Sequence, residues 1–324
     1  MAAPEHPNRL LTILIIVIVI AASFGVGYVF FTTRAHGPPG IKTVQLGDNV
    51  TVNYIGILGS SPQQGRVFDT SYYAVAISNA TYPKSLEFTL RPSAANYTPL
   101  GVNVNPGNLI PSGGYTLNGT NTTFGAVVTG FWQGLLGLPG NETRSIRIPP
   151  ALGYGLDDPA CIVTRPLTYT VPVVSSYNLN QFSTEFPGIV ANPGVEFPAP
   201  SYGWPMYILS SNATAVTISN QTHAGAIVRP YGFPVLVSNV SNTLSGRGQI
   251  TLVNQLTLAD SGLVLGKDSS PTAPCQNLFS STPAGGKFIV SAVNPTAGTY
   301  AANYNLEEAN QTLIFQVSVV NIYP

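Results

Sequence analysis

The chain has 324 residues, long enough for two domains beyond an anchor, with Lys+Arg and Asp+Glu both at 13, charged residues at 8% and zero formal net charge. So little positive charge excludes a nucleic-acid surface, which needs clustered Lys and Arg. Hydrophobic residues at 44% and aromatics at 10% exclude a disordered chain.

Leu10 to Phe31 forms a 22-residue run without charge, broken only by Thr12, Ser23 and small residues. About 20 apolar residues span a bilayer, whereas about 7–15 suffice for a signal-peptide core, so residues 1–34 read as a tail and a transmembrane anchor. A signal peptide cleaved near Ala21-Ala22-Ser23 is the alternative. Arg9 and Arg34 lie on opposite sides of the run and set no orientation. Ten N-x-S/T sequons, at Asn49, Asn79, Asn96, Asn118, Asn121, Asn141, Asn212, Asn220, Asn239 and Asn310, favour a glycosylated exterior body. The expected protein is single-pass in the cell membrane with its body outside, where Cys161 and Cys275 can pair.

Residues 34–41 are a Pro/Gly linker. Val50, Val52, Tyr54 and Ile57 alternate with polar residues, predicting a half-buried strand within Gln45–Leu58. A loop follows at Gly59–Gly65, then Arg66-Val67-Phe68-Asp69-Thr70-Ser71, then a second alternating strand at Leu86–Leu90. Residues 91–123, with Pro92, Pro99, Pro106 and Pro111, are too long for a plain connection and read as a surface elaboration.

The stretch Gly125–Gly155 organises the rest. Val127 and Val128 lead to a turn at Thr129-Gly130 and an apolar helical run through Phe131, Trp132, Leu135, Leu136 and Leu138. A Pro-Gly-Asn break at 139–141 precedes a strand, Ser145–Ile148, stopped by Pro149-Pro150, and Tyr154 follows between two glycines. An aromatic at the start of a short helix, a strand and a tyrosine on a loop together build a shallow aromatic pocket.

In this order, GDNVTVNYIGIL, GRVFDTS, LEFTL, VVTGFWQGLLGLPGNETRSIRIPPALGYG and the C-terminal TLIFQVSV resemble the FKBP family of peptidyl-prolyl cis–trans isomerases. The resemblance implies an α+β fold, with an antiparallel sheet wrapped on a short helix, over residues 35–160 and 286–324. Long prokaryotic, archaeal-like members carry a β-rich insert-in-flap chaperone domain before the final strand. Thr170-Val171-Pro172, Phe186-Pro187, Pro193–Phe197 and Ala215–Asn220 resemble that insert, placed here at 161–285. Further strand-like runs at Val235–Val237, Gln249–Leu258 and Phe288–Val293 make it larger than usual, and a Cys161–Cys275 bridge would staple its base. Asn305–Ala309 resembles the return segment, with Leu306-Glu307 where the family usually has His-Pro.

Family correspondence places Tyr54, Phe68, Asp69, Val128, Phe131, Tyr154 and Phe315 at the catalytic pocket, with Leu86, Phe88, Val127 and Trp132 as substrate-binding neighbours. Tyr154 and the Val128 N–H would donate to the substrate, Phe68 and Phe315 would wall the proline ring, and Phe131 would be the floor. Phe131 stands where the family usually has Trp. Leu86, Phe88, Val127 and Phe315 would equally serve as core in any β domain, whereas Asp69 and Tyr154 sit on loops with no patterning reason to be there. The implied substrates are X-Pro bonds of unfolded or exported polypeptides. The competing reading is a surface or adhesion protein that kept the scaffold and lost catalysis.

Other chemistries find no residues. His6, His36 and His223 are the only histidines, and no G-x-S-x-G elbow surrounds a serine. Without CxxC or clustered His, no metal is expected, and the Gly-rich stretches lack the Lys of a phosphate loop. No cofactor is implied.

Overall fold

The computed structural model describes residues 42–105, 114–117, 119, 121–241, 248–267 and 286–324. The apolar run Leu10–Phe31 and Cys275 lie outside them. Among the described residues no helix is long and apolar enough to cross a membrane.

The first sheet draws on both ends of the described chain. Its strands are β1 (Asn49–Leu58), β2 (Val67–Thr70), β3 (Leu100–Asn103), β4 (Tyr115–Thr116), β5 (Thr123–Gly125) and β6 (Thr143–Ile148), together with the C-terminal Leu313–Tyr323. The order is β4, β5, β3, β1, the C-terminal strand, β6, with β2 paired to β1 beyond the end of β3. All pairings are antiparallel except β3 with β5. Helix α1 (Tyr73–Ile77) follows β2, and α2 (Thr129–Leu135) packs on β6.

α2 is held unusually close to the sheet. A Cβ on Gly130 would lie 2.5 Å from Ile148 Cγ2, and one on Gly134 would lie 2.4 Å from Ile146 Cγ2. These two glycines, four apart on one helix face, let Phe131 and Leu135 sink fully into the core. Gly137 ends the helical segment at φ +73 and donates its N–H to Val44 O at 2.9 Å.

Leu86–Leu90 does not form the expected strand and is turn and coil. Its amides are drawn elsewhere: Leu86 N and Glu87 N donate at 2.7 and 2.9 Å to the carboxylate of Glu307, which is 3% exposed. Glu307 lies in the return segment, so this carboxylate ties the loop after β2 to the far end of the insertion.

Between β6 and the last strand the described residues make twelve strands: β7 (Ile162–Pro166), β8 (Thr168–Pro172), β9 (Val174–Asn178), β10 (Glu196–Pro198), β11 (Pro205–Ser211), β12 (Ala215–Asn220), β13 (Ile227–Val228), β14 (Val235–Val240), β15 (Gln249–Asn254), β16 (Leu265–Lys267), β17 (Lys287–Asn294) and β18 (Thr299–Asn303). Helix α3 (Leu179–Glu185) follows β9, and Leu313–Tyr323 is β19. They form three four-stranded sheets of the same plan: β10-β11-β12-β9, β13-β14-β15-β8 and β16-β17-β18-β7. The segment 286–324 is therefore shared, because β17 and β18 belong to the third of these sheets and only β19 joins the first sheet.

The three sheets repeat one another in detail. Asn220 N, Asn254 N and Tyr304 N donate to Val173 O, Leu167 O and Cys161 O, acceptors spaced six residues apart, at 2.8, 2.8 and 2.9 Å. Each middle strand carries a bulge, at Ile208/Ser210, Val237/Asn239 and Val290/Ala292. The carbonyl before each bulge accepts from a glycine at positive φ: Gly194, Gly225 and Gly262. The inward residues of all three, including Ile208, Val237, Val290, Ile218, Leu252 and Ala302, meet in one core. The chain lays down β7, β8 and β9 in tandem and completes their sheets in reverse order.

If close approach holds α2 in place, Gly134→Ala will lower unfolding free energy by about 1–3 kcal/mol, the usual cost of overpacking. Gly140→Ala, where a Cβ meets nothing within 4 Å, serves as the near-neutral control in urea melts.

Candidate functional site

The aromatic site grows from the pairing of β1 with β19, where Gly56 lies opposite Phe315. A Cβ on Gly56 would stand 2.7 Å from Phe68 Cζ and 3.0 Å from Phe315 Cε1, so the bare backbone there makes room for two rings. Phe68 meets Phe315 edge to face at 5.4 Å, and Phe131 meets Phe315 likewise at 4.8 Å. Tyr54 completes the set, 6.3 Å from Phe131 and 6.0 Å from Phe315. Such edge-on arrangements are the favoured geometry of packed rings. Phe131, 2% exposed, lies at the bottom of the cluster. Val127, Val128, Trp132 and Tyr154 pack against it half-buried, so Trp132 flanks the ring cluster and Phe131 occupies it.

Two of the expected substrate neighbours lie elsewhere. Phe88 packs with Ile55, Val67 and Val75 in a separate cluster, under the Lys84 ammonium at 5.4 Å. Ile55 and Tyr54 are adjacent on a strand and so face opposite sides of the sheet, which puts Phe88 on the side away from the rings. Leu86 is half-buried outside the ring cluster, and its amide serves Glu307. Cys161 is buried and not free, while Cys275, its expected partner, lies outside the described residues. No group of three or more His, Cys, Asp and Glu suited to a metal ion occurs among the described residues. An open groove over α3, lined by Tyr177, Gln181 and Glu185 among others, includes none of the ring residues.

Asp69 is the polar centre of the site. Its Oδ2 accepts from the Tyr54 hydroxyl, and its Oδ1 accepts from Arg91 Nη2 at 2.8 Å. Arg91 comes from the start of the long excursion after residue 90 and lies 5.0 Å over the Tyr97 ring. Burial opposes the Arg91 charge, but the Asp69 carboxylate and the Tyr54 hydroxyl outweigh it and hold the guanidinium above its ordinary pKa. Burial, reinforced by Asp69, raises the Tyr54 phenol well above its usual range, so it stays a hydrogen-bond donor.

Tyr154 is likewise kept protonated. Its pKa is pushed up to about 12 by burial, with the Glu308 and Asp69 carboxylates acting in the same direction. Glu308 itself is pushed up to about 7, chiefly by burial; its own backbone amide works the other way, and Glu307, Glu87 and Asp69 add to the rise. Gly56, Arg91, Glu307 and Glu308 are the site residues that pattern alone does not expose. For Arg91, Glu307 and Glu308 the one sequence signal is scarcity, because in a chain with 8% charged residues each charged side chain is a candidate for a specific role; Gly56, one of 32 glycines, carries none.

A carboxyl whose pKa is higher folded than unfolded binds its proton more tightly when folded. The Glu308 charge therefore costs stability as pH rises from about 4.5 through about 7. Glu308→Gln, which cannot ionise, will be more stable than the natural protein by about 1–3 kcal/mol at pH 8 and nearly equal to it at pH 4. Urea melts at the two pH values measure this, and a pH-independent difference would contradict the raised pKa of this half-buried carboxyl.

No protein-family model matches the chain. Over 126 residues, 39% of the chain, it is 30% identical to the short-type peptidyl-prolyl cis-trans isomerase of Methanocaldococcus jannaschii. The chain spans 60% of that protein's length.

Proposed function

We propose that this chain is an FKBP-type peptidyl-prolyl cis–trans isomerase, built as that family's sheet on a short helix with a β-rich insertion. The observation that carries the reading is the ring cluster of Tyr54, Phe68, Phe131 and Phe315 beside a protonated Tyr154 hydroxyl. The partial likeness to an archaeal isomerase supports it.

Prolyl isomerisation breaks no covalent bond. Its barrier of about 18–20 kcal/mol is the amide resonance lost on twisting. A catalyst has to hold the twisted, less polar amide better than the planar one, and an apolar, water-poor cup does this. Phe68 and Phe315 wall the proline ring over the Phe131 floor. Tyr154 donates to the carbonyl of the X-Pro amide, and the Val128 N–H offers a second donor. Asp69 holds the Tyr54 hydroxyl and so fixes that ring against Phe131. No proton is transferred, so the raised phenol pKa values suit the chemistry.

The anchor, the exterior body and a client-holding role for the insertion belong to the same proposal. The uncharged run Leu10–Phe31 supports the anchor. Exposed sequons at Asn79, Asn141 and Asn310 support an exterior face. Asn49 and Asn220 do not, since Asn49 is buried and Asn220 bonds to Trp204 and Pro172. Exposed apolar side chains on the insertion, such as Val190, Tyr207 and Leu209, support the holding of proline-containing unfolded polypeptides.

Exchange NMR on an Ala-Leu-Pro-Phe peptide tests the reading. Catalysis is expected, and Tyr154→Phe will lower kcat/KM at least roughly fivefold, the worth of about 1 kcal/mol of hydrogen bonding. Phe68→Ala and Asp69→Asn will also lower it. A folded protein without acceleration would instead be a binding protein on this scaffold.

A further inference from the structure

Glu308 and Asp69 bear on the Tyr154 hydroxyl, Glu307 and Glu87 bear on Glu308, and three of these four carboxyl groups are already committed. Asp69 accepts from Tyr54 and Arg91. Glu307 accepts the Leu86 and Glu87 amides. Glu87 faces Lys287 as well as Glu307. Glu308 remains. Among the described residues its carboxylate has no hydrogen-bond partner beyond its own backbone amide.

Its position is fixed from both sides. Glu307, the preceding residue, is pinned to the loop after β2, and Asn310 N donates at 2.8 Å to the carbonyl of Gly155, next to Tyr154. Of the two carboxylates that bear on the Tyr154 hydroxyl, Glu308 acts more strongly than Asp69. Asp69 is also neutralised by its 2.8 Å ion pair with Arg91, whereas among the described residues no cation acts on Glu308.

Resting on the isomerase reading, we propose that Glu308 is a specificity-determining residue that makes the site prefer Lys or Arg immediately before the proline. The carbonyl that Tyr154 receives belongs to that preceding residue, X. The side chain of X therefore begins within a few bonds of the hydroxyl on which Glu308 bears. A cationic X meets an uncommitted carboxylate in a partly desolvated place, where attraction is stronger than at an open surface. An acidic X meets repulsion from Glu308 with Glu87 and Glu307 behind it. The groups facing Glu308 are Asp69 from β2, Tyr154 from the loop after β6, Glu87 from the loop after β2, and its neighbour Glu307. Because the carboxyl titrates near neutrality, the preference is present above about pH 7 and fades as pH falls through that value.

Exchange NMR with the full chain in detergent micelles, on Ala-Xaa-Pro-Phe peptides with Xaa Lys, Leu or Glu, tests this. At pH 8 the expected order of kcat/KM is Lys, Leu, Glu, with Lys over Leu roughly threefold to tenfold and the ratio near one at pH 5.5. Glu308→Gln will abolish the Lys preference and Glu308→Lys will reverse it toward the Glu peptide, an inversion that a merely structural residue cannot produce. Catalysis with no Lys preference, or a preference that survives Glu308→Gln, overturns the assignment while leaving the isomerase reading standing. Failure to accelerate any of the three peptides overturns both.

Discussion

The structure depends on one pairing, β1 with β19, whose ten ladder positions join residues 49–58 to residues 313–323. Closing a loop over so much chain is entropically costly and slow, though the cost grows only with the logarithm of its length. The insertion removes most of that cost. Tyr304 N bonds to Cys161 O at 2.9 Å, so its two stems leave the three-sheet body side by side. Once that body is formed, β19 is delivered beside β6 and β1 as though the connection were short. Glu307, buried over the loop after β2, and Asn310, bonded to Gly155, seat the returning chain.

The same pairing builds the ring cluster. Phe315 comes from β19, Tyr54 from β1, Phe68 from β2 and Phe131 from α2. No two adjoining rings come from the same element, so the cluster exists only when the first and last strands are paired. Gly56 in β1 and the Gly130–Gly134 face of α2 are what allow the rings to close over the sheet. Missing side chains at these positions do as much for the cup as the aromatic rings do.

Charge is used sparingly and specifically. Around the cup, one carboxylate orients a tyrosine with the help of an arginine, one caps two amides, and one is left facing the tyrosine at the rim. Carboxylates with assigned partners fix geometry, whereas under the proposal above the unassigned Glu308 would read a substrate's charge. The two roles are separated by a single peptide bond, between Glu307 and Glu308.

Alternation and punctuation alone marked β1, β6 and the short helix between β5 and β6, whereas β12 and β19 were marked through the family resemblance. Each buries one face, and periods of 2 and 3.6 record that directly. Tyr54, Phe68, Asp69, Phe131, Tyr154 and Phe315 came forward together only through the resemblance of these segments to the FKBP family. Local pattern could not show that Leu86–Leu90, alternating like a strand, loses its amides to Glu307 some 220 residues on. It could not show which face of β1 Phe88 would meet, because that depends on strand parity in three dimensions. The threefold insertion was half written in the chain: Tyr202-Gly203-Trp204-Pro205 matches Tyr231-Gly232-Phe233-Pro234, and Val216–Gln221 matches Ile250–Gln255. Its third unit, Tyr300–Asn305, keeps the hydrogen bonds and not the residues, because backbone ladders constrain geometry while tolerating many side chains. The sequence by itself determined which segments bury a face. Tertiary structure decided which distant amide, ring or charge each would meet, since those partners are chosen by chain closure and not by neighbours.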